Sequence, residues 1–490
     1  MSATERDRSL MRTFWGVSRF RKIGLAFAIV IAILAGNLWA VPARVMAEPL
    51  DAGTEAPAMT RFWVFHPMYL MSGTYLYPVE HYVPETDSIE LAAIEALIRG
   101  MPEGTGYRFL GLPEATEVRE LTIEDKVLTV DFSDDILQAN VGSASEGALI
   151  DAIVCTLAQR QEVDKVQILV EGQPVETLAG HVDIAGPLEP RWDSIYRGFE
   201  DAYQHWAGGS MMVLQSMDIM VGHEDWTSRP NEELTRAQFL KMLVEILSLP
   251  EAPDDLEMPF ADMDNHWSRP YVMRALAEGL IKADDYGADF GPDEVIPREE
   301  MAFLLVPARE SYAEAHPDIA YPDPAEAPAF TDETEIGEKF LERVKECAQL
   351  GLLTGYPEGD FGPRRGLTRG EAATVLTRLI GVSGAGTMVV VSTPRPGAKH
   401  EGSTIVVLGS AAAFEGTTNF RLLDAERGVC FDDYTTSTHG MGFGAIGMSV
   451  DKSLLTGTPT LLEVYLISME DGSEFRLTGV PIQVSEAPGN

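Results

Sequence analysis

The sequence predicts a multi-domain protein with three kinds of fold in series: an α+β domain, an all-α unit of three repeats, and an all-β sandwich. Three observations predict it. Helical and alternating β patterns interleave over residues 61–190. Between 230 and 369 a Pro stands six residues before an Arg three times, at Pro230/Arg236, Pro292/Arg298 and Pro363/Arg369. The last hundred residues are short β-branched runs broken by Pro-Gly, Asp-Gly and Gly-Thr. A chain of 490 residues is too long for one ordinary core, and a 45% hydrophobic share is that of folded protein. The formal net charge of −39 excludes a nucleic-acid binder, because that task needs a basic face to displace phosphate counterions. Any anionic ligand is then met by a few local Arg residues against an unfavourable field. Cys155, Cys347 and Cys430 lie in different segments and build neither a disulfide framework nor a zinc site.

Residues 1–47 speak about location. Arg12, Arg19, Arg21 and Lys22 precede an uncharged run from Ile23 to Ala43, and small residues end it at Ala47. A basic segment, an apolar stretch and a small-residue site describe a secretory signal. The run also has roughly the length of a spanning helix, so the residues leave an uncleaved membrane anchor open. Residues 48–60 form a Pro/Ala/Gly-rich linker.

The first domain spans 61–190. "RFWVFHP" (61–67) reads as a strand, and "SIELAAIEALIRG" (88–100) as an amphipathic helix capped by Ser88. "KVLTVDFS" (126–133), "EGALIDAIVCTLAQ" (146–159) and "VDKVQILVEG" (163–172) read as strand, helix and strand. Both helices are expected on one face of one sheet. No Gly-rich phosphate loop and no nucleophile elbow occurs here. Through "AAIEALIRGMPEG", "VLTVDFSDDI", "AIVCTLAQ" and "VQILVEGQPVETLAGHVDIAGPL", the segment resembles the GerMN domain of sporulation and germination proteins.

The repeats span 196–250, 258–312 and 328–381. Each opens on Phe-x-Asp, at Phe199, Phe260 and Phe330, and closes on a helix begun by Arg236, Arg298 or Arg369. Thr235 and Thr368 cap two of those helices, with Gln238 and Glu371 completing capping boxes; the second unit has Pro297 instead. This pattern resembles the S-layer homology (SLH) domain, through Phe-x-Asp, a downstream Trp, "GLLTGYPEGDFGP" and the Thr-Arg helix start. The resemblance implies a three-pronged helical trimer whose inter-unit grooves bind secondary cell-wall polysaccharide, often carrying a pyruvate ketal. Besides Pro297, the chain departs from the family in three places. Gly370 replaces the usual Ala, the third unit has no Trp in its first helix, and the first unit lacks Phe-Gly-Pro.

A ketal carboxylate calls for directional cations, which Arg supplies as a two-pronged donor, and a sugar face calls for an aromatic platform. Arg236, Arg298 and Arg369, supported by Trp206 and Trp267, are the candidate ligands. In so acidic a protein each Arg has an alternative role, pairing internally beside a capped helix start. Asp201, Asp262 and Asp332 of the Phe-x-Asp signals read as turn-closing residues. "ADDYGADFG" and "YPEGDFG" lack the ligand order of a calcium loop, and His66, His181, His223 and His266 are too scattered for a metal site. No cofactor is expected.

After the linker at 381–386, residues 387–487 read as the sandwich. Through "VVVSTPRPG", "AFEGTTNFRLLD" and "TLLEVYLISMEDGSE", they resemble the immunoglobulin-like domain that accompanies germination proteins. The whole reads as an exported, non-enzymatic envelope protein. It is held to wall polysaccharide by its repeats and offers its flanking modules to other envelope or spore proteins. The alternative is a wall hydrolase or glycan-modifying enzyme tethered by the same repeats.

Overall fold

The computed structural model describes residues 58–485 apart from 71–72, 103–104, 106, 197, 224–226, 318, 385–388, 415, 439–440 and 468–473. The segment read as export signal or anchor, and most of the linker after it, lie outside the described residues. Among the described residues no helix is long and apolar enough to cross a membrane.

The described chain begins with a hairpin. β1 (Met59–Leu70) and β2 (Gly73–Pro84) pair antiparallel from Met59 opposite Pro84 to Leu70 opposite Gly73. α1 (Ile89–Arg99) follows, its first turn closed by Ser88 accepting from the Leu91 N–H. β3 (Val118–Glu124), β4 (Val127–Phe132), β5 (Lys165–Val170) and β6 (Gln173–Pro174) form a four-stranded sheet in that order. α2 (Ser143–Leu157) is the crossover between the parallel pair β4 and β5. Both helices lie between this sheet and the hairpin, rather than on one face of a single sheet. α2 explains why: Leu149, Ile150, Ile153, Val154, Cys155 and Leu157 bury most of its circumference, so it needs apolar cover on two sides.

The C-terminal strands are β7 (Val389–Thr393), β8 (Ala398–His400), β9 (Thr404–Phe414), β10 (Thr417–Leu423), β11 (Val429–Thr436), β12 (Met441–Asp451), β13 (Leu461–Ile467) and β14 (Glu474–Val484). They form two packed sheets, ordered β1-β2-β12-β9-β7 and β11-β10-β13-β14-β8. The hairpin is thus shared: it roofs α1 and α2, and β2 runs parallel to β12 from Glu80/Met448 to Tyr82/Val450. Tyr82 explains the join. Its ring enters the sandwich core beside Phe420 and Phe431. Next to it, Arg61 binds Glu80 at 2.6 Å and Asp433 at 3.1 Å.

The middle of the chain is helical: α3 (Gly208–Ser216), α4 (Arg236–Ile246), α5 (Arg269–Ala277), α6 (Arg298–Ala315), α7 (Glu338–Gln349) and α8 (Arg369–Leu379). The second helix of each repeat packs on the first helix of the next, as α4 on α5 and α6 on α7, and α8 returns to α3. One core runs through all three repeats. α3 also seats on the sandwich through Gly208 and Gly209, where an added Cβ would stand 2.7 Å from Phe443 and from Val390 respectively.

Candidate functional site

The spacing of Pro to Arg finds its reason where the three repeats meet. The Leu234 N–H donates to Leu367 O (2.8 Å), Leu367 to Ile296 O (3.0 Å) and Ile296 back to Leu234 O (3.0 Å). This closed triangle sets three equivalent junctions. At each, the first two N–H groups of a second helix donate to the loop of the following repeat. Arg236 and Ala237 donate to Glu294 O and Pro292 O, Arg298 and Glu299 to Arg365 O and Pro363 O, Arg369 and Gly370 to Glu232 O and Pro230 O. Those helix-start donors are therefore already engaged inside the protein. The Phe-x-Asp carboxylates hold the same loops. Asp201 accepts from the Ser228 and Arg229 N–H, Asp262 from Phe290 and Gly291, Asp332 from Phe361 and Gly362, all at 2.7–2.9 Å.

The arginines differ in what surrounds them. Arg236 is 9% exposed, and Nε and Nη2 meet Glu300 at 2.5 and 3.0 Å. Nη1 donates to Phe290 O, Gly291 O and Glu294 Oε2. Burial works against this charge, yet the hydrogen bonds and charges of Glu300 and Glu294 leave its pKa raised. Arg298, 4% exposed, donates to Phe361 O and Thr354 O, and its Nη1 stands 3.5 Å from Glu371. Arg369 is only half-buried and donates to Ser228 O (2.6 Å) and Val221 O (2.9 Å). No carboxylate lies within ion-pair distance of it among the described residues. Burial lowers its pKa, and the charges of Glu232 and Asp201 do not make up the difference.

The cause is one position. Two residues after each Arg stand Gln238, Glu300 and Glu371. Glu300 serves Arg236 of the preceding repeat and Glu371 serves Arg298; the place equivalent for Arg369 holds the uncharged Gln238. Gln238 and Glu371 are the capping-box members their spacing implies. Where this position holds Glu, the residue also faces the Arg of the unit before, a signal present in the sequence as an acid, acid, amide series.

Trp206 and Trp267 occupy the same place in repeats one and two and are 52% and 51% exposed. Beside them, His205 Nε2 meets Asn231 and His266 Nε2 meets Asp293, both at 3.3 Å. His205 and Ala207, which flank Trp206, pack on Gly370, where a Cβ would lie 2.9 Å from the imidazole and 3.2 Å from Ala207. That close approach accounts for the departure from Ala and brings Trp206 to the Arg369 junction. Trp267 belongs with Arg236 through the Asp293–Glu294 loop. The third unit has Ile336 and Gly337 at these places, so Arg298 has no Trp; Arg364 and Arg365 replace the Asx-Glu pairs of the other loops. Arg365 lies over the Tyr356 ring at 3.9 Å.

Family models match the chain in three parts. The S-layer homology domain matches residues 198–240, 259–302 and 329–373. The middle of this chain carries three SLH repeats. "Sporulation and spore germination" matches 67–176 and the "immunoglobulin-like domain of bacterial spore germination" matches 388–473. These domain types are non-catalytic. Curated relatives include the exoglucanase XynX of Acetivibrio thermocellus, 31% identical over 186 residues. Another is the S-layer protein sap of Bacillus anthracis, 31% identical over 174 residues. These matches cover 37% and 36% of this chain but only 16% and 20% of the relatives' lengths. The likeness to the enzyme runs through its SLH anchor. Among solved structures, the tandem GerMN domains of GerM from Bacillus subtilis match at 20% identity and a TM-score of 0.25, over 30% of this chain and 51% of that one. The SLH repeats and their S-layer relatives support a cell-surface location.

Proposed function

We propose that the protein attaches non-covalently to an anionic secondary cell-wall polysaccharide, and that the junction between the third and first SLH repeats is the principal seat of the anion. One observation carries this reading: Arg369 alone of the three equivalent guanidiniums is not fully buried and has no carboxylate within ion-pair distance among the described residues. A carboxylate such as a pyruvate ketal supplies the missing counter-charge, and Trp206 offers an exposed face to the sugar ring. Arg236 and Arg298 act mainly as structural ties, because each guanidinium already serves a carboxylate and two backbone carbonyls. Trp267 is left as a secondary sugar contact beside an acidic loop. The three-pronged trimer implied by the SLH pattern is the frame for this site. The flanking GerMN and immunoglobulin-like modules are thereby held at the wall, where they meet other envelope or spore proteins.

The test is co-sedimentation of the full chain with purified sacculi before and after the secondary polysaccharide is stripped. Binding is expected only to unstripped sacculi. Equal binding to both overturns the reading.

A further inference from the structure

One face of the sheet β1-β2-β12-β9-β7 is roofed by two separate modules. α3 covers it near Phe443 and Val390, while α1 and α2 cover Phe62 and its hairpin neighbours. Across the strands, Phe62, His81, Ser449 and Val406 stand in one row, and Asp451 and Thr404 pair in the next. A cleft of about 210 Å³ opens between this sheet and the exposed edge of α1. That is below the roughly 300 Å³ at which drug-sized sites begin, and it suits a ligand no larger than an amino acid. Ala92 and Ala96 leave it unfilled from the helix side, and Phe62 and Val83 give it an apolar wall.

Its polar groups are of two kinds. Arg99 makes no ion pair among the described residues, and the buried Nε2 of His81 has no hydrogen-bond partner among them. His81 is stacked on Phe62 at 5.6 Å, so the ring is held in place. Burial, with His66 and Arg99 nearby, keeps His81 neutral, able to donate one hydrogen bond beside a guanidinium. The carboxylates of Glu95, one turn before Arg99 on α1, and of Asp451 also line the cleft. Asp451 is fixed by the Ser453 N–H and hydroxyl.

We infer that this cleft binds a small zwitterion with an apolar side chain, a free amino acid or the free end of a short peptide. The ligand carboxylate is held by Arg99 and His81, its ammonium by Asp451 and Glu95, and its side chain lies on Phe62 and Val83. Neither the repeats nor the family matches assign any ligand to this place.

Calorimetric titration of the full chain with L-leucine, with the leucyl-leucine dipeptide and with N-acetyl-leucinamide tests the assignment. The two zwitterions are expected to bind and the blocked amide not to; the tighter of the two identifies the natural source. Arg99→Gln and Asp451→Asn should each weaken binding about tenfold or more, since each removes one charge-assisted contact. Ala92→Leu, which fills the cleft and leaves both charges in place, should abolish it. Silence from both zwitterions up to about 10 mM, equal binding of the amide, or unchanged binding in all three variants overturns the inference.

Discussion

Where the first repeat meets the second, a guanidinium is closed inside a carboxylate fork; where the third meets the first, the place of that carboxylate is taken by an amide. Backbone, loop and capping threonine are alike at the two junctions, since Thr235 and Thr368 make the same box. The contrast teaches that a repeated Arg need not have a repeated role. Glu300 makes Arg236 a structural tie, and Gln238 leaves the charge of Arg369 over for a ligand.

The comparison can be broken from its closed side first, with the largest expected effect. Glu300→Ala leaves Arg236, at 9% exposure, with the exposed Glu294 as its one remaining carboxylate. Removing one partner of a buried ion pair costs about 3–5 kcal/mol, which urea unfolding would read directly. A loss below about 1 kcal/mol would mean that Arg236 is as free as Arg369. From the open side, Arg369→Ala should cost little stability but weaken sedimentation with sacculi about 10- to 100-fold, the value of a charge-assisted pair in a half-buried site. The matched Arg236→Ala should do the reverse. Gln238→Glu then sharpens the contrast, because it gives Arg369 the partner its equivalents have. Wall binding should fall about tenfold while stability holds or rises by about 1 kcal/mol. If binding is untouched, the acid, amide series is not what selects the junction.

Much of this was legible beforehand, and what escaped has a physical reason. The strand at 61–67, the helix capped by Ser88 and the boxed helix starts are local features, fixed by alternation and by side chains three residues apart. The sharing of the hairpin with the C-terminal sandwich is not local: Arg61 meets Asp433 across 372 positions, and nothing in either segment's own pattern announces the other. The site shows the same division. Arg and Trp at repeated places were readable, as was the turn-holding role of Asp201, Asp262 and Asp332. The helix-start N–H groups are not free for a ligand, since they donate to carbonyls of the following repeat such as Pro292, Pro363 and Pro230. Which Glu faces which Arg was not legible, because that pairing crosses from one repeat into the next.

The two exposed tryptophans give a smaller and more selective test. Trp206 and Trp267 are equally exposed, so a purely hydrophobic contribution would weaken binding equally when either becomes Ala. If the anion sits at Arg369, Trp206→Ala should weaken sacculus binding about three- to tenfold, the worth of one stacking contact, and Trp267→Ala less. Equal losses would move the ligand off a single junction.

The smallest expected effect concerns pH. His205 stands against Asn231 at the open junction, whereas His266 stands against Asp293 at the closed one. Burial holds the His205 pKa below its ordinary 6.5, although the Asn231 hydrogen bond and the Asp201 charge oppose the shift. The ring is therefore neutral near pH 7, and a depressed folded value means that its contribution to stability is complete above pH 6.5 and is lost as pH falls. Ligand binding has the opposite sign. A bound carboxylate favours the protonated imidazole, so affinity should rise as pH drops below 6.5, by about two- to fivefold for one partly screened charge. His205→Gln should flatten that rise and His266→Gln should not. A rise that survives His205→Gln would place the titrating group elsewhere, and with it the anion.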